Sequence, residues 1–341
     1  MLEKAGARYR TEAGAEVPAD FGSSAGELSA LRRQCVIVDR SARGRISLTG
    51  SDAVAFLQAL FTNDVVKPAA GRIIYGFFLT PQGRVVGDAR VLRRDGAVWL
   101  DTDPAARANV LAFLNKYHVS ERVTITDRTA DTALASVFGP KAPTVIEFAL
   151  GAERVPDAGA FTDNEVCVAA NELTGEAGFD LFTDATAAPA LYARLAGPQT
   201  VPAGWDALET ARIEAGVPRF GVEFGPTEIP LETGLGAAGI AFDKGCYVGQ
   251  EIIARMDARG AAARRLVGFS VDGALPAPGT AVHQGEREVG VIKSAVVSPS
   301  LRGRPIAMGY VHKDVPDRAE DLTAGDAHLW IVPRPFYPPQ H

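Results

Sequence analysis

The chain has 341 residues, with 35 lysines and arginines against 41 aspartates and glutamates and a net charge of −6. That length points to more than one core, and 47% hydrophobic with 22% charged residues excludes a mostly disordered or fibrous chain. The acidic balance offers no general attraction to nucleic acid or to an anionic membrane, no apolar run approaches the roughly 18 to 20 residues of a bilayer span, and the charged start from Glu3 to Asp20 lacks the apolar block of a signal peptide, so a cytoplasmic protein handling a small molecule is expected.

Ile46 and Leu48 read as a strand of period two. A helix follows, with Ser51 as its N-cap and Val54, Leu57, Leu60 and Phe61 on one stripe, ended by Asn63 and Asp64. Stretches 73–80, 84–92 and 97–101 read as a meander joined by Pro81-Gln82-Gly83 and Arg94-Asp95-Gly96. Asp103 and Pro104 open a helix with Val110, Leu111 and Leu114 facing inward, and a strand at 122–126 closes the unit. Strand, helix, strands, helix, strand is close to the split order of a ferredoxin-like domain. From Thr132 a second unit of that kind can be read, with a strand at 133–138, a helix at 144–150, strands at 166–170 and 179–182, and helices at 189–196 and 206–215. After Gly260 the stretches 265–271, 281–283, 289–297, 306–311 and 329–332 are strands separated by Gly, Pro and Asp, as in a small antiparallel barrel or sandwich. The fold class expected is α+β, divided at 1–130, 131–260 and 261–341.

Few motifs carry chemistry. Gly234-Leu235-Gly236-Ala237-Ala238-Gly239 matches G-x-G-x-x-G by letter. However, Pro226 and Pro230 precede it and Lys244-Gly245 follows, so the strand and helix of a dinucleotide site are missing and it reads as a connector. The five histidines show no metalloprotease spacing, and three widely spaced cysteines, Cys35, Cys167 and Cys246, make neither a disulfide framework nor a zinc ribbon. A helix starting near Val248 would set Cys246 before its positive end and beside Lys244, which suits a reactive thiol; a small buried hydrophobe is the plainer reading. Glu176 sits in a tight turn, Thr174 to Asp180, either as a solvated acid or as an acceptor for two parallel N–H bonds from an aminopyrimidinone edge. Arg212 lies on a helix three residues after Glu209, a spacing that by itself predicts a weak surface ion pair.

Taken together, Phe61-Thr62-Asn63-Asp64-Val65, Thr174 to Asp180, the Arg212 helix and Lys244 to Glu251 resemble the glycine cleavage T-protein superfamily. Lys-Gly-Cys-Tyr-Val-Gly-Gln-Glu at 244–251 resembles the signature of its YgfZ branch of folate-binding proteins. The resemblance implies two ferredoxin-like α+β domains around a central channel plus a C-terminal antiparallel β-barrel, with tetrahydrofolate in the channel. It implies that Glu176 holds the pterin edge, that Arg212 contacts folate, and that Asn63 and Tyr247 belong to the same site with Lys244 and Cys246. Of the paired acids usual in aminomethyltransferases only Asp88 remains, in Val86-Gly87-Asp88, and Asp101-Thr102-Asp103 stands where an asparagine is expected. The function implied is therefore a tetrahydrofolate-binding accessory factor for iron–sulfur enzyme assembly or repair, with Cys246 as a redox or transfer thiol and iron–sulfur client proteins or assembly factors as partners. The alternative is a folate-dependent aminomethyltransferase or one-carbon transferase that uses Asp88.

Overall fold

The computed structural model describes residues 6–94, 96–151, 154–258, 260 and 262–338; Asp95, read above as part of a turn, lies outside them. The mixed α+β architecture expected from the alternation of elements is present, with a closed barrel at the C-terminal end. Among the described residues, no helix is long and apolar enough to cross a membrane.

The first sheet runs, edge to edge, Ile74–Leu79, Val85–Arg94, Ala97–Thr102, Gly44–Thr49 and Thr124–Asp127, antiparallel throughout. Along Val85–Arg94 the alternation of side chains divides two environments. Val85, Gly87, Ala89 and Val91 are buried, whereas Val86, Asp88 and Arg90 on the other face are only half-buried. Helix Arg107–Tyr117 packs on the first of these faces, so closely that a Cβ at Gly87 would come within 2.6 Å of Val110. Helix Ala53–Leu60 adds Phe56, Leu57 and Leu60 to the same core. Its N-cap is Asp52 and not Ser51; the Asp52 carboxylate accepts from the Arg122 backbone N–H at 2.8 Å, and Ser51 bonds only to that carboxylate. Asp103 does act as a cap, its Oδ1 accepting from the Ala105 N–H at 3.0 Å, one turn ahead of the regular helix.

The second sheet has the order Phe161–Asp163, Cys167–Ala170, Gly178–Asp184, Thr132–Phe138, Cys35–Asp39 and Thr200–Pro202. Cys35–Asp39 comes from well before the stretch read as the second unit. It pairs antiparallel with Thr132–Phe138 and parallel with Thr200–Pro202. Ahead of it, the hairpin Arg8–Glu12/Ala15–Asp20 and helix Ser24–Arg33, capped by Ser23, stand on one face with helix Trp205–Glu214. Leu28, Leu31, Val36, Val38, Trp205 and Leu208 form the core there. Helices Ala142–Leu150 and Ala188–Leu195 cover the opposite face.

Six strands close the barrel: Arg264–Asp272, Arg304–His312, Arg287–Ser298, Ala281–Gln284, Leu322–Ala324 and Ala327–Val332. Phe269, Val282, Ile292, Ala307, Val311 and Leu329 fill it. Leu266, Ile306, Met308 and Tyr310 face outward instead and pack on Ile213, fastening the barrel to helix Trp205–Glu214. The G-x-G-x-x-G stretch ends in a single helical turn, Gly236–Gly239, lying on strand Ile74–Leu79. Its last glycine serves close packing: a Cβ at Gly239 would meet the Phe77 ring at 2.4 Å.

Candidate functional site

A cavity of about 380 Å³ opens where the two sheets meet the segment after helix Trp205–Glu214. The first sheet contributes Tyr75, Asp88, Arg90 and Asp101, the second contributes Ala170 and the turn after it, and Pro218, Arg219 and Phe220 close the third side. The wall facing away from helix Arg107–Tyr117 is thus the half-buried face of Val85–Arg94. Surface hollows of similar or larger volume exist, such as one of about 490 Å³ beside Arg45 and Trp99. There the arginines are already committed: Arg45 to Thr132 and backbone carbonyls, Arg94 to Asp163, and Arg194 to Glu165.

Most charges lining the main cavity are held in ion pairs. Arg43 clamps Asp101 through two bonds, Nε to Oδ1 at 2.7 Å and Nη2 to Oδ2 at 3.1 Å. Arg90 pairs with Asp180 and donates to the Ala170 carbonyl at 2.8 Å, and Arg40 reaches Asp180 at 3.3 Å. Burial opposes ionisation of Asp180, but Arg40 and Arg90 outweigh it and bring its carboxyl to about 2. Arg219 joins Asp103 at 3.3 Å and Glu12, from the N-terminal hairpin, at 2.8 Å.

Asp88 differs. Its Oδ2 accepts from the Tyr75 hydroxyl at 2.9 Å, while Oδ1 is buried and has no hydrogen-bond partner. Burial first, and the Asp103 carboxylate second, push this carboxyl up to about 6, against the opposing pull of the Tyr75 O–H and Arg43. An acid with one oxygen unsatisfied and a proton affinity near neutrality, at the wall of a cavity, is placed to give, take or hold a proton on a bound molecule. The glycine at 87 takes nothing from this wall, because residue 87 faces the helix and only residue 88 faces the cavity.

The other residues expected at the site do not line this cavity. Asn63 is a backbone clamp: its Nδ2 donates to the Tyr75 carbonyl at 2.8 Å and to the Ala238 carbonyl at 3.0 Å. Glu176 is buried and accepts from Arg32 at 3.1 Å, and Arg32 also bonds Glu214 at 2.7 Å. Arg212, 1% exposed, donates to Glu223 at 2.8 and 3.0 Å and pairs with Glu209. Far from being a weak surface pair, it is the centre of a buried network. Lys244 donates to the carbonyls of Gln58, Phe61 and Asn63 at 2.8, 2.6 and 2.9 Å. It thereby satisfies the end of helix Ala53–Leu60 with a positive charge where the helix dipole favours one. Burial lowers the lysine to about 8, which still leaves it mostly charged at neutral pH. Tyr247 is packed into the first core.

Cys246 is exposed, and helix Gln250–Ala258 begins four residues beyond it, so the thiol does not sit at that helix's first turn. Cys35 and Cys167 are buried. Cys246→Ala is therefore expected to change stability by no more than about 0.5 kcal/mol. Alkylation of the folded protein, read by mass spectrometry, should modify Cys246 alone. Alkylation at Cys35 or Cys167 instead, or a markedly less stable variant, would contradict this placement.

Tyr75, Arg43 and Arg219 were not picked out from the sequence. Period two along Val85–Arg94 was the available signal for the cavity-facing pair Asp88 and Arg90; nothing local announces Arg219, whose partners are Glu12 and Asp103.

Residues 1–244 match the GCVT N-terminal domain, and residues 264–337 match the glycine cleavage T-protein C-terminal barrel domain. Proteins named aminomethyltransferase are similar along nearly the whole chain. That of Cutibacterium acnes is 33% identical, with 98% of this chain and 96% of that protein covered. That of Rubrobacter xylanophilus is 32% identical, with 97% and 91% covered. The chain belongs to the glycine cleavage T-protein family, whose members bind tetrahydrofolate as substrate or cofactor. The crystal structure of glycine cleavage system aminomethyltransferase T from Bartonella henselae has the same fold, with a TM-score of 0.90, 23% identity and coverage of 99% of this chain and 96% of that one. The expectation of an iron–sulfur accessory factor is overturned, since relatives 32% and 33% identical over nearly their full length are named aminomethyltransferases. The arrangement it relied on is also missing: Glu176 is tied to Arg32, Cys246 is exposed, and neither lines the cavity.

Proposed function

We propose that the protein transfers a one-carbon unit between an amine and tetrahydrofolate, as an aminomethyltransferase, with Asp88 as its acid. The observation that carries this reading is the unsatisfied Asp88 Oδ1 at the cavity wall, in a carboxyl raised to about 6. The surroundings suit a folate: Ile73, Tyr75, Phe220 and Leu235 offer apolar and aromatic surface. A cavity of about 380 Å³ falls in the range typical of small-molecule sites, roughly 300–1,000 Å³. Bound folate would supply two nitrogens that form bonds to the one-carbon unit, while the donor's C–N and C–S bonds break and release ammonia and a thiol, each taking up a proton given up by the folate nitrogens. Asp88 ionised holds the donor's ammonium, and protonated it returns a proton to the departing amine; the Tyr75 hydroxyl occupies Oδ2 and leaves Oδ1 without a protein partner.

The test is direct. Purified protein is given tetrahydrofolate and an aminomethyl thioether, and methylenetetrahydrofolate and ammonia are assayed together. Equal release of the two products supports the reading; tetrahydrofolate binding with no turnover would leave a binding protein and refute the transferase.

A further inference from the structure

Asp88 was the lone survivor of an expected acid pair, yet the fold brings a second carboxylate to it from another strand. In the antiparallel ladder between Val85–Arg94 and Ala97–Thr102, Arg90 lies opposite Asp101. The facing strand ends at Thr102, whose hydroxyl donates to the Asp88 carbonyl at 2.6 Å, and Asp103 follows directly after it. Both acids line the cavity. We propose that Asp103 is the positioning partner of Asp88, a negative charge on the neighbouring strand end that favours the protonated form of the Asp88 carboxyl.

The two carboxylates are held in opposite ways. Asp103 is 3% exposed; its Oδ2 bonds Arg219 at 3.3 Å and lies 4.0 Å from Arg43, and its Oδ1 takes the Ala105 N–H at 3.0 Å. Both of its oxygens thus have partners. Asp88 has only the Tyr75 hydroxyl. When two like charges share a site, the better-solvated one ionises and the other keeps its proton. The other charged or titratable groups lining the cavity are Tyr75 from the neighbouring strand, Arg90 on the same strand as Asp88, Asp101 on the facing strand, Arg40 and Arg43 ahead of Gly44–Thr49, Glu172 in the turn after Cys167–Ala170, and Arg219 beyond helix Trp205–Glu214. Arg43 and Arg90 share Asp101 in ion pairs, Arg40 faces Asp180, and Arg43 pulls on Asp88 in the opposite direction, so Asp103 is the acidic charge that raises Asp88. Glu12 braces Arg219 from behind, so the N-terminal hairpin takes part in holding Asp103.

This proposal deepens the aminomethyltransferase reading and rests on it for its catalytic meaning, but its test does not need turnover. Aspartate carboxyls are labelled with ¹³C and titrated by NMR in the full-length protein, with Asp88 assigned by comparison with Asp88→Asn. The Asp88 midpoint in wild type is expected near 6. In Asp103→Asn, which keeps the shape and can still accept from Arg219, it should fall by about one pH unit, and in Asp103→Glu, which keeps the charge, it should stay close to wild type. An unmoved midpoint in Asp103→Asn, or equal falls in both variants, would overturn the proposal. Where turnover is measured, the acid limb of its pH profile should move with the NMR midpoint. A wild-type protein that shows this titration without any transfer would refute the proposed function and leave the acid pair standing.

Discussion

Asp88→Asn is expected to lower one-carbon transfer by roughly 10²- to 10⁴-fold, the usual contribution of a positioned acid or base, without unfolding the protein. The amide oxygen can still accept from Tyr75, so the cavity wall keeps its shape. Stability should be no lower at pH 7, and the sign follows from proton linkage. The folded protein holds the Asp88 proton up to about pH 6, whereas the unfolded chain releases it near 3.8. Between those values the folded state binds more protons, so the contribution of Asp88 to stability declines as pH rises through that window and is at its least favourable above it. A neutral amide has no such penalty. Thermal melts at pH 5 and pH 7 should show the wild type losing ground to the variant at the higher pH. A variant that melts far below wild type at pH 7 would mean that the ionised carboxylate is structural.

The second large effect concerns Arg212, which the family resemblance placed against folate. Arg212→Met should destabilise the protein by roughly 3–5 kcal/mol, because removing one partner strands a buried charge. Glu223, 0% exposed, would keep only the Ser294 hydroxyl at 2.5 Å and the Arg219 N–H at 2.9 Å. Since Ser294 belongs to the barrel strand Arg287–Ser298, the loss should also loosen the barrel from helix Trp205–Glu214. Urea denaturation reads the first effect, and limited proteolysis near residue 260 the second. Were Arg212 a folate contact, stability would hardly change and only the affinity for tetrahydrofolate would fall.

Much of the architecture was legible in local pattern. Period two marked the strands of the first sheet and the barrel, and Gly- and Pro-bearing turns separated them. Leu322–Ala324 escaped because three residues are too few to show a period. The Cys35–Asp39 strand escaped for another reason: its place, between Thr132–Phe138 and Thr200–Pro202, depends on partners about a hundred residues or more away. The same distinction divides the site. Asp88 was identifiable from the resemblance to aminomethyltransferases, as the acid remaining in Val86-Gly87-Asp88, and period two along its strand agrees with the face it takes. Glu176, Arg212 and Lys244 were assigned to a ligand because their actual partners are non-local or are backbone atoms. Arg32 meets Glu176 across 144 positions, and Lys244 reaches the carbonyls at the end of a helix more than 180 positions earlier. A motif can be retained because it holds loops together, and the octapeptide at 244–251 does this through Lys244 and Tyr247 while leaving its cysteine outside.

The location of folate decides the matter most directly. A crystal structure of the protein with tetrahydrofolate should show the pteridine ring inside the cavity bounded by Tyr75, Asp88, Arg219 and Phe220, in contact with the free oxygen of Asp88. A ring bound beside Cys246 or Glu176, with the Asp88 cavity empty of ligand, would contradict the account.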